Sequence, residues 1–190
     1  SPAVAYESTN NQYLITWTRE GSSASGVEAR STDEEGYFSS SVLDVTGMNA
    51  DITPSFSDVA CVRTLGGCLI VWQQWYDKYQ TDHDVLGRRL HMQGGAHFEG
   101  DFISIFFEMN DEFTPAVSSL VRTTGIGQYL VVANFEVDTE KWVVRGKTIT
   151  DAGSVDQTVQ LDGTWWTRVG VAGSEKSQQY LAAWRARDNV

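Results

Sequence analysis

Short apolar runs separated by polar clusters set the character of this chain, and one of those runs recurs. Tyr13-Leu14-Ile15-Thr16-Trp17 returns as Cys68-Leu69-Ile70-Val71-Trp72, as Tyr129-Leu130-Val131-Val132-Ala133 and as Tyr180-Leu181-Ala182-Ala183-Trp184, every fifty to sixty residues or so. A repeat of that period signals a modular array. The nearly continuous apolar character of the run predicts a strand buried on both faces and therefore central in its sheet.

Each central strand, B, follows a short extended segment, A, that opens near a proline: Pro2 to Tyr6, Pro54 to Val59 and Pro115 to Val117, with Arg168 to Ala172 taking the place in the fourth copy. Proline is tolerated at the first residue of a strand, where no ladder donor is needed. A third segment, C, carries its own signature. Val27-Glu28-Ala29-Arg30 aligns with Val85-Leu86-Gly87-Arg88 and Val144-Arg145-Gly146-Lys147, and each is followed at the same offset by a glycine, Gly36, Gly94 and Gly153. The small third residue predicts close approach of a neighbour, and the later glycine a turn at positive φ. The last segment, D, varies most (Phe38 to Val45, Phe102 to Phe107, Val155 to Leu161), as an outer edge strand can.

Antiparallel strands in simple up-and-down order, four to a repeat, describe the blade of a β-propeller. The expected fold is all-β, with repeats at about 1–52, 53–113 and 114–165 and an incomplete fourth at 166–190. A β-sandwich or jelly roll is the alternative, but neither predicts two motifs recurring in register. No segment shows sustained helical periodicity with caps. The succession P-x-V-A-Y, Y-L-x-x-W, V-x-G-R and a glycine resembles the tandem propeller repeats of bacterial secreted and cell-surface proteins. It departs from that pattern at Ala133, where Trp stands in the other copies, and at Cys68, where Tyr does. The resemblance implies a fold and a place outside the cytoplasm, and names no chemistry. Val190 aligns with Val27, Val85 and Val144 at the start of a third strand, so the expectation is either a piece of a longer propeller or a homo-oligomer that completes the ring.

The chain has 190 residues, 41% of them hydrophobic and 12% aromatic, enough to bury a core and suited to one domain. Its formal net charge of −11 argues against nucleic acid and anionic membranes as partners. No stretch approaches the roughly 20 apolar residues that span a bilayer, and no basic-then-apolar signal-peptide pattern stands at the start, so the expectation is a soluble mature form or one from which a leader has been removed. Cys61 and Cys68 flank a turn-forming run and face each other if the segment is a hairpin. They read either as a disulfide, which would place the protein outside the cytoplasm, or as two reduced core thiols.

In a propeller the B–C loops and D–A crossovers share one face, and loops carry function. The longest B–C loop, residues 73 to 84, holds Trp75, Tyr76 and Tyr79, which could stack on sugar rings or simply shield the edge of a neighbouring blade. Asp82, His83 and Asp84, with Asp77, are weak candidates for metal ligation; oxygen ligands would suit Ca²⁺, but adjacent strand residues point to opposite sides. The crossover after this repeat brings Glu108, Asn110, Asp111 and Glu112 to the same face. Trp165 and Trp166 should lie there too, one packed and one exposed, with Trp166 the further ligand candidate. Ser31 to Phe38 is similar to the Asp box of sialidases, with its glycine one place late, and reads as an ordinary C–D turn. Nucleophile-elbow, zincin, phosphate-loop and paired C-x-x-C motifs are absent, and His91 and His97 fall at the opposite end from His83. These features predict a non-catalytic binding module for carbohydrate or protein. The alternatives are a glycan hydrolase using paired carboxylates, and a structural or assembly repeat.

Overall fold

A computed structural model describes residues 2–21, 25–47, 52–63, 66–75, 82–108, 110–138, 141–164 and 168–185. The described residues form strands and turns with no helix, gathered in four antiparallel sheets. The first contains β1 (Ala3–Glu7), β2 (Gln12–Arg19), β3 (Gly26–Thr32) and β4 (Leu43–Asp44). The second contains β5 (Thr53–Cys61), β6 (Gly67–Trp75), β7 (His83–His91) and β8 (His97–Phe106). The third contains β9 (Glu112–Val121), β10 (Gly127–Asp138), β11 (Lys141–Thr150) and β12 (Val155–Thr164), and the fourth is the hairpin β13 (Val169–Ser174) and β14 (Gln179–Trp184). Within each sheet the strands pair in sequence order.

Side-chain alternation along the central strands glues the sheets face to face. On β6, Ile70 and Trp72 point into a core shared with Leu14, Val27 and Ala29 of the first sheet. The intervening Leu69 and Val71 join Val117, Tyr129 and Val131 of the third. A third cluster places Leu130, Val132 and Val144 against Val169, Val171, Tyr180 and Ala182 of the last hairpin. With the period of two, one strand can feed two cores. That is why β6 and β10 are almost wholly buried. At about 1.5–3 kcal/mol for each large apolar side chain removed from water, these clusters are the main stabilising force. β2 and β14 depart from the expected two-sided burial: each is covered on one face only, so alternate residues stay open and Leu181 is 71% exposed. No sheet among the described residues packs on their other side.

The first strands of the sheets, β1, β5, β9 and β13, pack successively against one another, while β4, β8 and β12 are the outer edges. The recurrent motifs occupy equivalent register positions. Thr16, Val71, Val132 and Ala183 sit opposite Ala3, Asp58, Ala116 and Gly170. Pro54 does not share the place of Pro2 and Pro115. A bulge between Ser55 and Asp58 intervenes, so Ser57 stands where those prolines do. Phe56 (φ 50°) and Thr114 (φ 49°) take the same left-handed backbone at equivalent points just before the strand straightens. The outer strands also differ from expectation. β4 has only two residues, with an isolated bridge from Thr32 to Phe38, whereas β8 begins earlier than Phe102 and β12 runs on to Thr164.

Hydrogen bonds across the seams add direction to the apolar packing. The Ser8 hydroxyl donates to the Arg63 carbonyl and the Ser119 hydroxyl to the Cys61 carbonyl, each at 2.6 Å. The Tyr180 hydroxyl donates to the Gln128 carbonyl at 2.8 Å. Cys61 and Cys68 are directly opposed and joined by a disulfide.

Candidate functional site

The amino-terminal ends of β1, β5, β9 and β13 converge. Pro2, Ala3, Phe56, Ser57, Asp58, Thr114, Pro115, Ala116, Arg168 and Val169 line one open cavity of about 160 Å³. Every sheet contributes the same stretch of its first strand. Asp58 is the acidic group in this lining, and burial pushes its carboxyl above the usual range. At roughly 30 Å³ per water, the space holds a few waters or a very small ligand, below the 300 Å³ or so of an ordinary small-molecule site.

A second assembly lies beside it, where β6 ends and β7 and β9 begin. The ring of Trp75 stands 4.6 Å from His83, His83 stands 4.5 Å from Phe113, and Phe113 stands 5.3 Å from Trp142, centroid to centroid. All are tilted contacts between side chains that are largely buried but keep part of their surface open. The row crosses from the second sheet to the third. It exists because Trp75 and His83 are a register pair, and Phe113 enters from the crossover strand. His83 is fixed by Asp111, whose Oδ1 accepts its backbone N–H at 2.8 Å and lies 3.1 Å from Nδ1. Gln73 Oε1 accepts the Thr114 N–H at 2.8 Å and pins the start of β9 to β6.

Carboxyl groups crowd the same strand ends. Alternation sends Asp82 and Asp84 to the face of β7 opposite His83, and Glu112 to the face of β9 opposite Phe113. Asp84 is buried, and burial together with the charge of Asp82 pushes its carboxyl up to about 7. Glu112 is completely buried, and neither of its oxygens finds a well-formed hydrogen bond. Burial first, then the charges of Asp84, Glu108 and Asp82, push it up to about 9, against a weaker opposing pull from the Glu108 backbone amide. Glu112 is therefore protonated at neutral pH. At the rim, Glu108 pairs with Arg145 at 3.2 Å, and the Arg145 guanidinium lies 3.8 Å over Phe135.

Of the residues singled out from sequence, Trp75 and His83 are brought into ring contact, Asp82 and Asp84 lie at the same strand end on the opposite face, and Tyr76, Asp77, Tyr79, Trp165 and Trp166 lie outside the described residues. Among the described residues no three His, Cys, Asp or Glu side chains converge to hold a metal. His91 and His97 are a register pair at the other end of β7, with rings 5.6 Å apart. The Ser31–Phe38 run is a turn in which Asp33 Oδ1 accepts the Tyr37 N–H at 2.7 Å and Gly36 adopts φ 90°. Phe113 and Trp142 were not singled out by sequence. Their partnership depends on how adjacent sheets pack, although their place at the beginnings of strands next to the loop face was a usable signal. No protein-family model and no curated protein matches the chain.

Proposed function

We propose that the four sheets are consecutive blades of a β-propeller and that its loop face binds carbohydrate without cleaving it. The observation that carries this reading is the row Trp75–His83–Phe113–Trp142, a line of partly exposed rings across a seam between sheets. Aromatic faces pack on the apolar faces of pyranose rings, and nearby carboxyl groups supply hydrogen-bond partners for hydroxyls. The propeller reading is supported by the cavity to which every sheet gives the same part of its first strand. Calorimetric titration against a panel of neutral and charged oligosaccharides tests the binding claim. Trp75→Ala and Trp142→Ala should each weaken affinity at least tenfold with the fold intact. A panel without binders, or variants that bind like the parent, would refute it.

Glu112 favours a second reading. A carboxyl held protonated at neutral pH is what the general acid of a glycan hydrolase requires, and Asp84 is the second carboxyl. Its complete burial is the argument against that role, and release of reducing sugar from the same panel would decide for it. Two further proposals concern context. The free edge of β14 among the described residues would pair with more strands, from the same chain or a second copy. The Cys61–Cys68 bond fits an oxidising, extracellular or cell-surface location.

A further inference from the structure

We infer that a second copy of this chain seats the open face of its β13–β14 hairpin on the open face of the first sheet, repeating between copies the contact that adjacent sheets make within one. The inference rests on the reading of the sheets as blades and is independent of the sugar.

Alternation gives every sheet a leading face, turned to the sheet before it, and a trailing face, turned to the sheet after it. Three register pairs occupy the same place on successive leading faces: Val59 with Ile70, Val117 with Val131, and Val171 with Ala182. Each pair packs on the preceding sheet. Val4 with Ile15 is that pair in the first sheet, and no described residue covers it. Val4 is 63% exposed, where Val59 is 5% and Val117 6%. The trailing faces carry a leucine at one register position. Leu14, Leu69 and Leu130 each enter the following sheet and are 0%, 0% and 8% exposed, whereas Leu181, in the same place on β14, is 71% exposed. One chain thus holds a seat without its leucine and a leucine without its seat. Both are open in the same chain, so they do not meet each other, and a second copy brings them together.

The seams within the chain also fix the register of the new one. The Tyr180 hydroxyl crosses to the carbonyl of Gln128, the residue before Tyr129. Tyr129 makes the same crossing one seam earlier, where its hydroxyl oxygen lies 3.5 Å from the point at which a Cβ on Gly67 would stand, and Gly67 precedes Cys68. Tyr13 holds this place in the first sheet, so its hydroxyl is directed at the carbonyl of Gln179 in the second copy. Tyr6 is larger than its counterparts Cys61, Ser119 and Gly173, but Asn11 accepts its hydroxyl at 2.6 Å and holds the ring toward the β1–β2 turn, at the rim of the face. The contact is heterologous, joining two different faces. Made twice between two copies it closes a ring of eight sheets, within the four to eight blades usual for a propeller.

Analytical ultracentrifugation at rising concentration should show the parent passing from the mass of one chain to twice that mass. Val4→Lys and Leu181→Lys alter exposed side chains of the single chain but bury an unpaired charge in the contact, one from each side. Each should raise the dissociation constant at least tenfold with unchanged circular dichroism, and either suffices should the other not fold. Tyr13→p-benzoylphenylalanine locates the seat. In a mixture of light-isotope and heavy-isotope chains, its photoproduct should join β2 of one copy to β14 of the other, near Gln179. A parent that keeps the mass of one chain at every concentration would overturn the inference, as would a dimer that both lysine variants leave intact. A photoproduct joining β2 to β14 of the same chain would overturn it and keep the blade reading, because the ring would then close on itself. A photoproduct joining β2 to β2 of the other copy would overturn both. Oligosaccharide affinity is measured separately, so none of these outcomes bears on the carbohydrate reading.

Discussion

Asp58 on β5 accepts the backbone N–H of Val117 on β9 at 2.9 Å through Oδ2, while its Oδ1 accepts the Val59 N–H at the same distance. β9 is the first strand of its sheet, so the Val117 amide faces away from its own ladder and would otherwise lack an acceptor. A side chain from the preceding sheet supplies one. Asp58→Ala removes both bonds and leaves buried donors, and should cost about 1–3 kcal/mol in urea unfolding. Asp58→Asn keeps one acceptor oxygen and removes a charge that burial disfavours, but turns an NH2 toward the other N–H, so it should cost less than Asp58→Ala without reaching the parent's stability. Equal losses in the two variants would show that the charge, rather than the acceptor, fastens the seam.

Two glycines test close packing in different ways, Gly87 within one sheet and Gly173 between two. A Cβ on Gly87 would come within 2.8 Å of Ile105 Cδ1 and 3.3 Å of Leu69 Cδ1, both ends of flexible side chains. A Cβ on Gly173 would come within 2.4 Å of the Ser119 carbonyl oxygen, which is main chain and cannot swing aside. Gly173 also donates its N–H to Ser118 Oγ at 2.8 Å, so the strain falls on the contact that docks β13 on β9. Gly87→Ala should cost about 1–2 kcal/mol. Gly173→Ala should cost more, and hydrogen exchange should show the β13–β14 hairpin losing protection before the rest of the fold.

The disulfide closes a short loop across an already paired hairpin, with Cys61 and Cys68 seven positions apart. Chain-entropy reasoning gives about 2 kcal/mol for a loop of that size. Replacing both cysteines with alanine should lower stability by about that much and leave the β5–β6 register in place, as judged by unchanged far-ultraviolet circular dichroism. Loss of the whole fold would mean that the bond organises the second sheet instead of securing it.

The repeated motifs were readable in the sequence because they report local packing. A Cβ on Gly87 or Gly146 would crowd neighbouring side-chain methyls, at 2.8 and 3.1 Å, and Gly36, Gly94 and Gly153 take positive φ at successive turns. The basic residue after each small one also has a common job: Arg30 lies over Phe38, Arg88 over Phe98 and Lys147 over Phe106. The strand-opening proline misled at Pro54, because a bulge changes the count without leaving a composition signal. Within the candidate site, Trp75 and Asp82 to Asp84 were visible as an unusual loop. Glu112 was visible only as one acid among several in a crossover. Its burial and its encounter with Asp84 arise from the path between sheets, which the spacing of residues along one chain does not record.

Glu112 should make the protein less stable as pH rises. Its carboxyl is pushed up to about 9 in the folded state from an ordinary value of 4.5, so between those values the folded protein holds a proton that the unfolded chain has lost. Stability changes with pH as the protons bound unfolded minus those bound folded; here the difference is negative. The stabilisation is fully present below about 4.5, declines through the neutral range and is gone above about 9. Asp84, raised to about 7, adds to the decline over the lower part of that window. Glu112→Gln imitates the protonated form at every pH and should flatten the profile. Against the parent it should be near neutral at pH 5 and more stable by about 1–3 kcal/mol at pH 9. Urea midpoints of the two proteins from pH 5 to pH 9 would measure this, and parallel curves would mean that Glu112 is already ionised and has found a partner in the folded state.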